Sequence, residues 1–367
     1  MRTPICDQFG IEHPIFGFTP SEHVAAAISR AGGLGVLGCV RFNDAEELDA
    51  VLNWMDENTG GKPYGVDIVM PAKVPTEGTA VDLGAYIPDG HKAFVQETLR
   101  KLGVPPLPDD GDPAQAGVLG WLHSVARAHV DVALRHPIKL IANALGSPPE
   151  DVIDLAHEKD VPVAALAGKA KHARSHVDNG VDIVVAQGTE AGGHTGEIAT
   201  MVLVPEIADA VGDDAHVLAA GGIGSGRQIA AALALGAGGV WMGSYWLTTS
   251  EYTLGAGDTM KDALVAAGSD QTVRSRVYSG KPARLLKSRW TDAWAEEGAP
   301  DPLPMPLQNL LVSQAHQRIM QAGDPSVIAM PVGQIVGRMN AVRPVAELID
   351  ELVAEFDETM GRLDKFR

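Results

Sequence analysis

A lone imidazole set in bare backbone is the part of this sequence best suited to chemistry: Gln187-Gly188-Thr189-Glu190-Ala191-Gly192-Gly193-His194-Thr195-Gly196. Glycine has no Cβ, so the main chain here can approach a flat ligand or take positive φ. His194 adds a side chain whose ordinary pKa lies near neutrality, able to take or give a proton. The pair suits a planar cofactor or substrate with a proton-handling group at its edge. A turn carrying a solvated histidine would satisfy this stretch equally well, so the rest of the chain must decide.

Two later segments are also glycine-rich. They are Leu218-Ala219-Ala220-Gly221-Gly222-Ile223-Gly224-Ser225-Gly226-Arg227 and Val240-Trp241-Met242-Gly243-Ser244-Tyr245. Each follows an apolar run, and the first leads into a helical pattern. Backbone N–H groups there can point at an anion with no side chain in the way. A dinucleotide fingerprint is the competing reading. Gly222, Gly224 and Gly226 miss its spacing, and no acidic residue ends a strand about 20 residues on. One phosphate beside one flat ring and a histidine fits a mononucleotide-like cofactor, and FMN meets both demands.

These loops need strands to deliver them. Apolar runs bounded by Gly, Pro or Asp recur at Pro14–Phe18, Leu34–Cys39, Tyr64–Met70, Lys139–Ala144, Val161–Ala167, Val181–Ala186, His216–Ala220 and Val240–Gly243. Helical patterns lie between them: Glu22–Ala31, Ala45–Met55, Pro149–Glu158, Lys169–Val177, Pro205–Val211 and Arg227–Leu235. Continuous apolar strands imply cover on both faces. Eight βα repeats predict an α/β fold, a (β/α)8 TIM barrel, with a helical insertion after strand 3 and a helical C-terminal extension. By that count the two glycine-rich segments close strands 7 and 8, where such barrels commonly hold a phosphate.

The expected domains are a barrel over 1–250, interrupted by a lid-like insertion at 72–137, and a mainly helical region at 251–367. The insertion carries helical patterns at His91–Leu102 and Gln115–Leu134 around a proline- and aspartate-rich link, Val104-Pro105-Pro106-Leu107-Pro108-Asp109-Asp110. The last pattern, Val345–Leu363, is acidic and amphipathic and should pack on the barrel.

Composition narrows the function classes. The 367 residues are 45% hydrophobic with net charge −18, so a duplex or an anionic membrane is a poor partner. Two cysteines, Cys6 and Cys39, with no Cys-x-x-Cys give neither a disulfide framework nor a zinc site. The first residues show no apolar signal core, and no stretch has the ~18 apolar residues of a membrane span. A soluble, cytoplasmic protein is expected.

Taken together these residues resemble the nitronate monooxygenase (2-nitropropane dioxygenase-like) family of FMN barrels. That family also contains flavin-dependent enoyl-thioester reductases and NAD(P)H:quinone reductases. The resemblance starts at Glu12-His13-Pro14-Ile15, Ala31-Gly32-Gly33-Leu34-Gly35 and Pro63-Tyr64-Gly65-Val66-Asp67. It continues through Glu190–Gly196, Ala220-Gly221-Gly222-Ile223, Ala234-Leu235-Gly236-Ala237 and Met242-Gly243-Ser244. It reaches Ser279-Gly280-Lys281-Pro282-Ala283-Arg284 and Gly333-Gln334. The Glu-Ala-Gly-Gly-His-x-Gly motif is its specific part.

The resemblance implies a division of labour. Phe16, Gly17 and Phe18 would line the flavin ring, and Gly192 and Gly193 would approach it through their backbones. Gly221, Gly222, Gly243 and Ser244 would hold the phosphate, with Asp67 and Gln187 completing the cofactor contacts. His194 would be the catalytic residue, removing a proton α to a nitro group, orienting a nitronate or supplying a proton.

The sequence departs from the family pattern in three places. The first-strand loop Gly17-Phe18-Thr19-Pro20 is short, Leu166 stands where some members place a lysine, and the insertion is larger than a nitroalkane needs. Lys169 could replace the missing charge.

The leading expectation is oxidation of nitronates or nitroalkanes with dioxygen. The alternative has NAD(P)H reduce the flavin, which then reduces a quinone or an enoyl or acyl thioester. A sugar-phosphate aldolase or isomerase would want a lysine or paired carboxylates at strand ends, where Asp67 and Asn143 are isolated. A flavin carrier without turnover is the fourth reading. Expected partners are a small-molecule substrate and dioxygen, with neither nucleic acid nor membrane, and a homodimer as the assembly to test. Weaker candidates are His123 and His129 near the site, a metal at His172 and His176, Tyr245 and Trp246 walling the cofactor, and Arg227 on phosphate.

Overall fold

Eight parallel strands close into a barrel. They are β1 (Ile15–Thr19), β2 (Leu34–Gly38), β3 (Tyr64–Asp67), β4 (Ile141–Asn143), β5 (Val163–Ala167), β6 (Ile183–Gln187), β8 (His216–Ala220) and β9 (Gly239–Met242). Ile15 pairs with Val240 to shut the seam between β1 and β9. The computed structural model describes residues 1–70, 83–107, 123–255 and 257–366. All eight strands fall on the apolar runs read from the sequence.

Alternation along each strand sets what faces the lumen. Phe16, Leu34, Val36, Leu140, Ile183 and Leu218 fill it. Helix α1 (Pro4–Phe9) closes the N-terminal end, with Phe9 edge-on to Phe16 at 5.3 Å between ring centroids. Tyr64, Val66, Ile141 and Val163 point the other way, into the layer beneath the helices.

The ring of helices is α2 (Glu22–Arg30), α3 (Ala45–Asn58), α5 (His123–Ala133), α6 (Glu150–His157), α7 (Ala170–Asp178), α8 (Thr200–Val211) and α9 (Gly226–Ala234). The cap residues Ser21, Asp44 and Ser225 accept the N–H groups of Val24, Glu47 and Gln228, fixing where α2, α3 and α9 begin. The eighth position is filled from far along the chain: α13 (Val345–Leu363) packs between α9 and α2. Its buried face, Val345, Leu348, Ile349 and Leu352, contributes roughly 1.5–3 kcal/mol per side chain as an upper estimate.

The rest of the chain builds around the barrel's C-terminal end. Helix α4 (Asp89–Lys101), in the insertion, lies against α12 (Leu307–Gln321), with Phe94 edge-on to Trp294 at 4.9 Å. Arg318 on α12 donates to the carbonyls of Val104 and Pro105. Helices α10 (Asp258–Val265) and α11 (Arg289–Ala293) complete the C-terminal region.

That region is less purely helical than its sequence pattern suggests. Strands β10 (Thr272–Ser275) and β11 (Ala283–Leu286) form an antiparallel pair to which the two-residue β7 (Gly193–His194) adds. The pattern read at Pro205–Val211 begins five residues earlier, at Thr200, because Pro205 sits inside α8. The pattern at Gln115–Leu134 is helical over His123–Ala133; residues 108–122 lie outside the described residues. Among the described residues no helix is long and apolar enough to cross a membrane.

Candidate active site

At the barrel mouth the topmost lumen layer has an uneven character. Phe18 stacks on Trp241, ring centroids 6.2 Å apart and planes 20° from parallel. Half-buried Leu166 and Gln187 come from β5 and β6. Asp67 comes from β3. Tyr64 and Val66 belong to the outer layer, so alternation turns Gly65 and Asp67 inward. A Cβ on Gly65 would meet the lumen side chains Leu140 and Leu34 at 2.7 and 3.4 Å. Asp67 is 3% exposed and its Oδ1 has no hydrogen-bond partner. Burial pushes its carboxyl up to about 7, with only the Ala144 N–H favouring ionisation.

His194 is fixed beside this layer by an element from the far end of the chain. Ala283 of β11 pairs with His194, and Arg284 with Gly193. The turn joining β10 to β11 brings Ser279 to the imidazole, Oγ to Nε2 at 2.6 Å. Ser279 is fully buried, and its Oγ also accepts the Lys281 N–H. Gln308 on α12 anchors the turn by donating to the Val277 carbonyl. His194 is half-buried rather than a solvated loop residue. Burial first, then the Lys281 ammonium, pushes its imidazole down to about 4. It is therefore neutral near pH 7, fit to accept a proton or a hydrogen bond.

The positive charge near His194 is a property of the hairpin. Residues 272–287 carry Arg274, Arg276, Lys281, Arg284 and Lys287 and no acid, in a chain of net charge −18. Arg284 is buried and donates to the Thr189 carbonyl and to Thr272 Oγ1. Arg274 holds the Thr195 carbonyl and Glu197. An anion bound here would meet a positive field.

The glycines divide by what their bareness serves. Gly192 is bare for the protein's own sake: a Cβ would lie 2.7 Å from the Val332 carbonyl carbon. Gly193 has φ +76 and little around it. Gly221 (φ +107) and Gly222 (φ +70) need left-handed backbone, and a Cβ on Gly221 would reach Thr200 Oγ1 at 2.9 Å. Both border a cavity of about 500 Å³ that Thr200, Gln228 and Arg338 share. Gly243 faces Phe18 at an ordinary 3.6 Å, and Ser244 Oγ accepts the Gly333 N–H at 2.8 Å. Gln334 N–H in turn donates to the Glu190 carbonyl. Segment 333–334 thus ties the loop after β6 to the loop after β9.

Two ring-lining expectations need correction. Phe16 is fully buried against Phe9 at the barrel's closed end, below the mouth. Gly17 points outward, where a Cβ would strike Ile28 Cδ1 at 2.5 Å and Trp246 Nε1 at 3.0 Å. Of the three first-strand residues, Phe18 alone presents a side chain to the mouth.

The weaker candidates have structural work. His129 packs between α5 and α3, its Nε2 3.3 Å from the Asp44 carbonyl oxygen. His176 is saturated by Ser147 and the Leu166 carbonyl, while His172 is exposed; no described cluster of three ligands could hold a metal. Tyr245 and Trp246 are core, with the Trp246 indole N–H on the Met242 carbonyl. Arg227 and Lys169 are exposed, and no described barrel strand ends in lysine. The His123 side chain lies outside the described residues.

Ser279 and Lys281 were missed as site residues. Their Ser-Gly-Lys-Pro-Ala-Arg motif is visible in the sequence, but only pairing across 85 residues shows that it touches His194.

Comparison with known proteins identifies the family to which the chain belongs. A family model described as nitronate monooxygenase matches residues 2–355. A Mycobacterium tuberculosis protein named as a candidate monooxygenase is 50% identical, over 99% of this chain and 98% of its own. A Staphylococcus aureus protein named as a candidate nitronate monooxygenase is 26% identical, with 98% of each chain covered. Among solved structures, a nitroalkane oxidase from Streptomyces ansochromogenes superposes with TM-score 0.80 at 27% identity, covering 98% of this chain and 99% of that one. FabK from Thermotoga maritima superposes with TM-score 0.76 at 26% identity over the whole of both chains.

Proposed function

Since the chain belongs to the nitronate monooxygenase family and is an oxidoreductase, we propose that it binds FMN and oxidises nitronates or nitroalkanes with dioxygen. The observation that carries this reading is the imidazole of His194, pinned by Ser279 Oγ at 2.6 Å beside the barrel mouth.

The residues present suit the cofactor. Phe18 and Trp241 give the mouth an aromatic floor, Asp67 offers an unpartnered oxygen in a layer whose other polar side chain is Gln187, and two left-handed glycines bare their backbone at the loop after β8. Gly221 and Gly222, with Gly243 and Ser244, would hold the phosphate; Phe18, Asp67, Gln187 and Gly193 would contact the ring. When bound, FMN supplies the two-electron acceptor that the side chains lack.

The protein's own groups do the rest. His194, neutral near pH 7, takes the proton α to a nitro group or accepts a hydrogen bond from substrate. Ser279 holds the ring in one rotation. Lys281 and the neighbouring arginines favour the negative charge of a nitronate. Ser279→Ala should lower kcat about tenfold, the worth of one hydrogen bond that orients the base. Unchanged kcat would show that Ser279 does not position His194.

The pH profile follows from the depressed imidazole. For a nitroalkane, kcat/KM reports the free enzyme. It should stay flat through the ordinary histidine range and fall only as pH approaches about 4. A midpoint at the unperturbed value of 6.5 would contradict a buried, cation-flanked base.

A second reading has NAD(P)H as reductant and a quinone or enoyl thioester as acceptor. One observation favours it: α4 of the insertion is docked through α12 to the turn that carries Ser279, a larger wall than a nitroalkane needs. Anaerobic mixing with NADH and NADPH separates the two. Persistent flavin colour, with oxygen consumed on nitronates in air, supports the first reading; rapid bleaching supports the second.

A further inference from the structure

Asp67 stands apart from everything else in the barrel lumen. Its neighbours in the register are Gly38 on β2 and Ala142 on β4, and Phe18 lies over Gly38. The described groups around it leave its proton without an acceptor. The Asn143 side-chain oxygen already accepts the N–H groups of Met70 and Leu145, and its amide donates to the carbonyls of Met70 and Gly146. The Cys39 thiol donates to the Leu37 carbonyl, and burial together with Asp67 holds it protonated. Arg41, on the turn after β2, spends its guanidinium on Glu22 and the Pro20 carbonyl. No described cation faces the carboxyl to hold it ionised. The Ala144 N–H alone donates to the carboxyl, and a buried neutral acid whose proton has no acceptor is incomplete.

Resting on the reading of the mouth as an FMN site, we propose that Asp67 enters the complex as a neutral carboxylic acid and donates its proton to a carbonyl oxygen of the flavin ring. The ring carbonyls are the acceptors the lumen lacks. A carboxylate would instead have to accept from the ring N3–H, and binding would then take up no proton. No bond to carbon forms or breaks: the proton comes from solvent whenever free Asp67 is ionised. Cofactor binding then takes up one proton in alkaline solution, and affinity falls as pH rises past the carboxyl's range.

The test is the FMN dissociation constant of apoprotein across about pH 7–9, read from flavin fluorescence, together with the proton count from calorimetry in buffers of different ionisation enthalpy. Over that range the FMN phosphate has lost both protons, its second pKa being about 6, and His194 is already neutral. Wild type should lose up to about tenfold in affinity per pH unit and take up close to one proton at the alkaline end. Asp67→Asn keeps a donor but cannot titrate, so its affinity should be flat, with no proton taken up. FMN bound with a flat wild-type profile and no uptake would overturn the proposal and leave the flavin reading intact. Failure to bind FMN at any pH would overturn the flavin reading itself, and this proposal with it. Should Asp67→Asn not fold, the wild-type proton count alone decides.

Discussion

Replacing His194 with asparagine should lower nitroalkane turnover by about 10²–10⁴-fold, the usual worth of a positioned acid or base, while FMN affinity stays the same. The loop at Gly221–Gly222 proposed to hold the phosphate and the aromatic floor of Phe18 and Trp241 do not lean on the imidazole. Asparagine keeps a polar group opposite Ser279 but cannot take the α-proton. Preformed nitronates need no such proton removed, so their turnover should fall less than that of the parent nitroalkanes. Equal losses would place His194 in orienting the substrate; full activity on both would remove it from the chemistry. The measurement is steady-state oxygen consumption at matched FMN content.

Gly226→Ala should unseat the helix that closes the ring. A Cβ at Gly226 would lie 2.2 Å from the Leu352 carbonyl oxygen and 2.2 Å from the Phe356 nitrogen. Both are backbone atoms of α13, so no side-chain rotation relieves the clash. Overpacking of this kind costs about 1–3 kcal/mol and occasionally more, and backbone against backbone belongs at the upper end. The Gly226 N–H bond to Glu355 would strain with it. Thermal midpoint should drop by roughly 2–4 °C. Gly361, on α13 itself, has nothing within 4 Å of its Cβ position. Gly361→Ala should instead stabilise, by up to about 1 kcal/mol. Equal midpoints for the two variants would mean that α13 does not press on α9 as described.

How much of this was legible depended on how local the cause was. The eight barrel strands are apolar on both faces, because helices cover one side and the packed lumen the other. That leaves continuous apolar runs such as Ile183–Ala186, inside the strand read at Val181–Ala186, that sequence alone exposes. Helix α13 matches its amphipathic pattern end to end, since four buried residues on one face impose the period. Strand β7 has no local signal. Two residues become a strand only because β11, some ninety residues later, offers its edge. The same distance hid Ser279 and Lys281. Proline misled at α8, where Pro205 read as a start but lies within the helix.

The site residues repeat the lesson. His194 was conspicuous because glycines surround it. Phe16 and Gly17 do not line the mouth with Phe18, because a strand cannot present three consecutive side chains to one face. A strand turns its neighbours to opposite faces and rises with each residue. Phe16 therefore falls one layer below Phe18, onto Phe9, and Gly17 faces Ile28. Asp67 was legible as an isolated strand-end carboxyl, but that its oxygen has no partner is a fact of packing.

The central claim is that the barrel mouth holds FMN opposite His194. The most direct measurement is the visible spectrum of the purified protein, with the mass of the chromophore released on denaturation. A yellow protein carrying one FMN per chain is the predicted result. Colourless protein that takes up no FMN when it is supplied would contradict it.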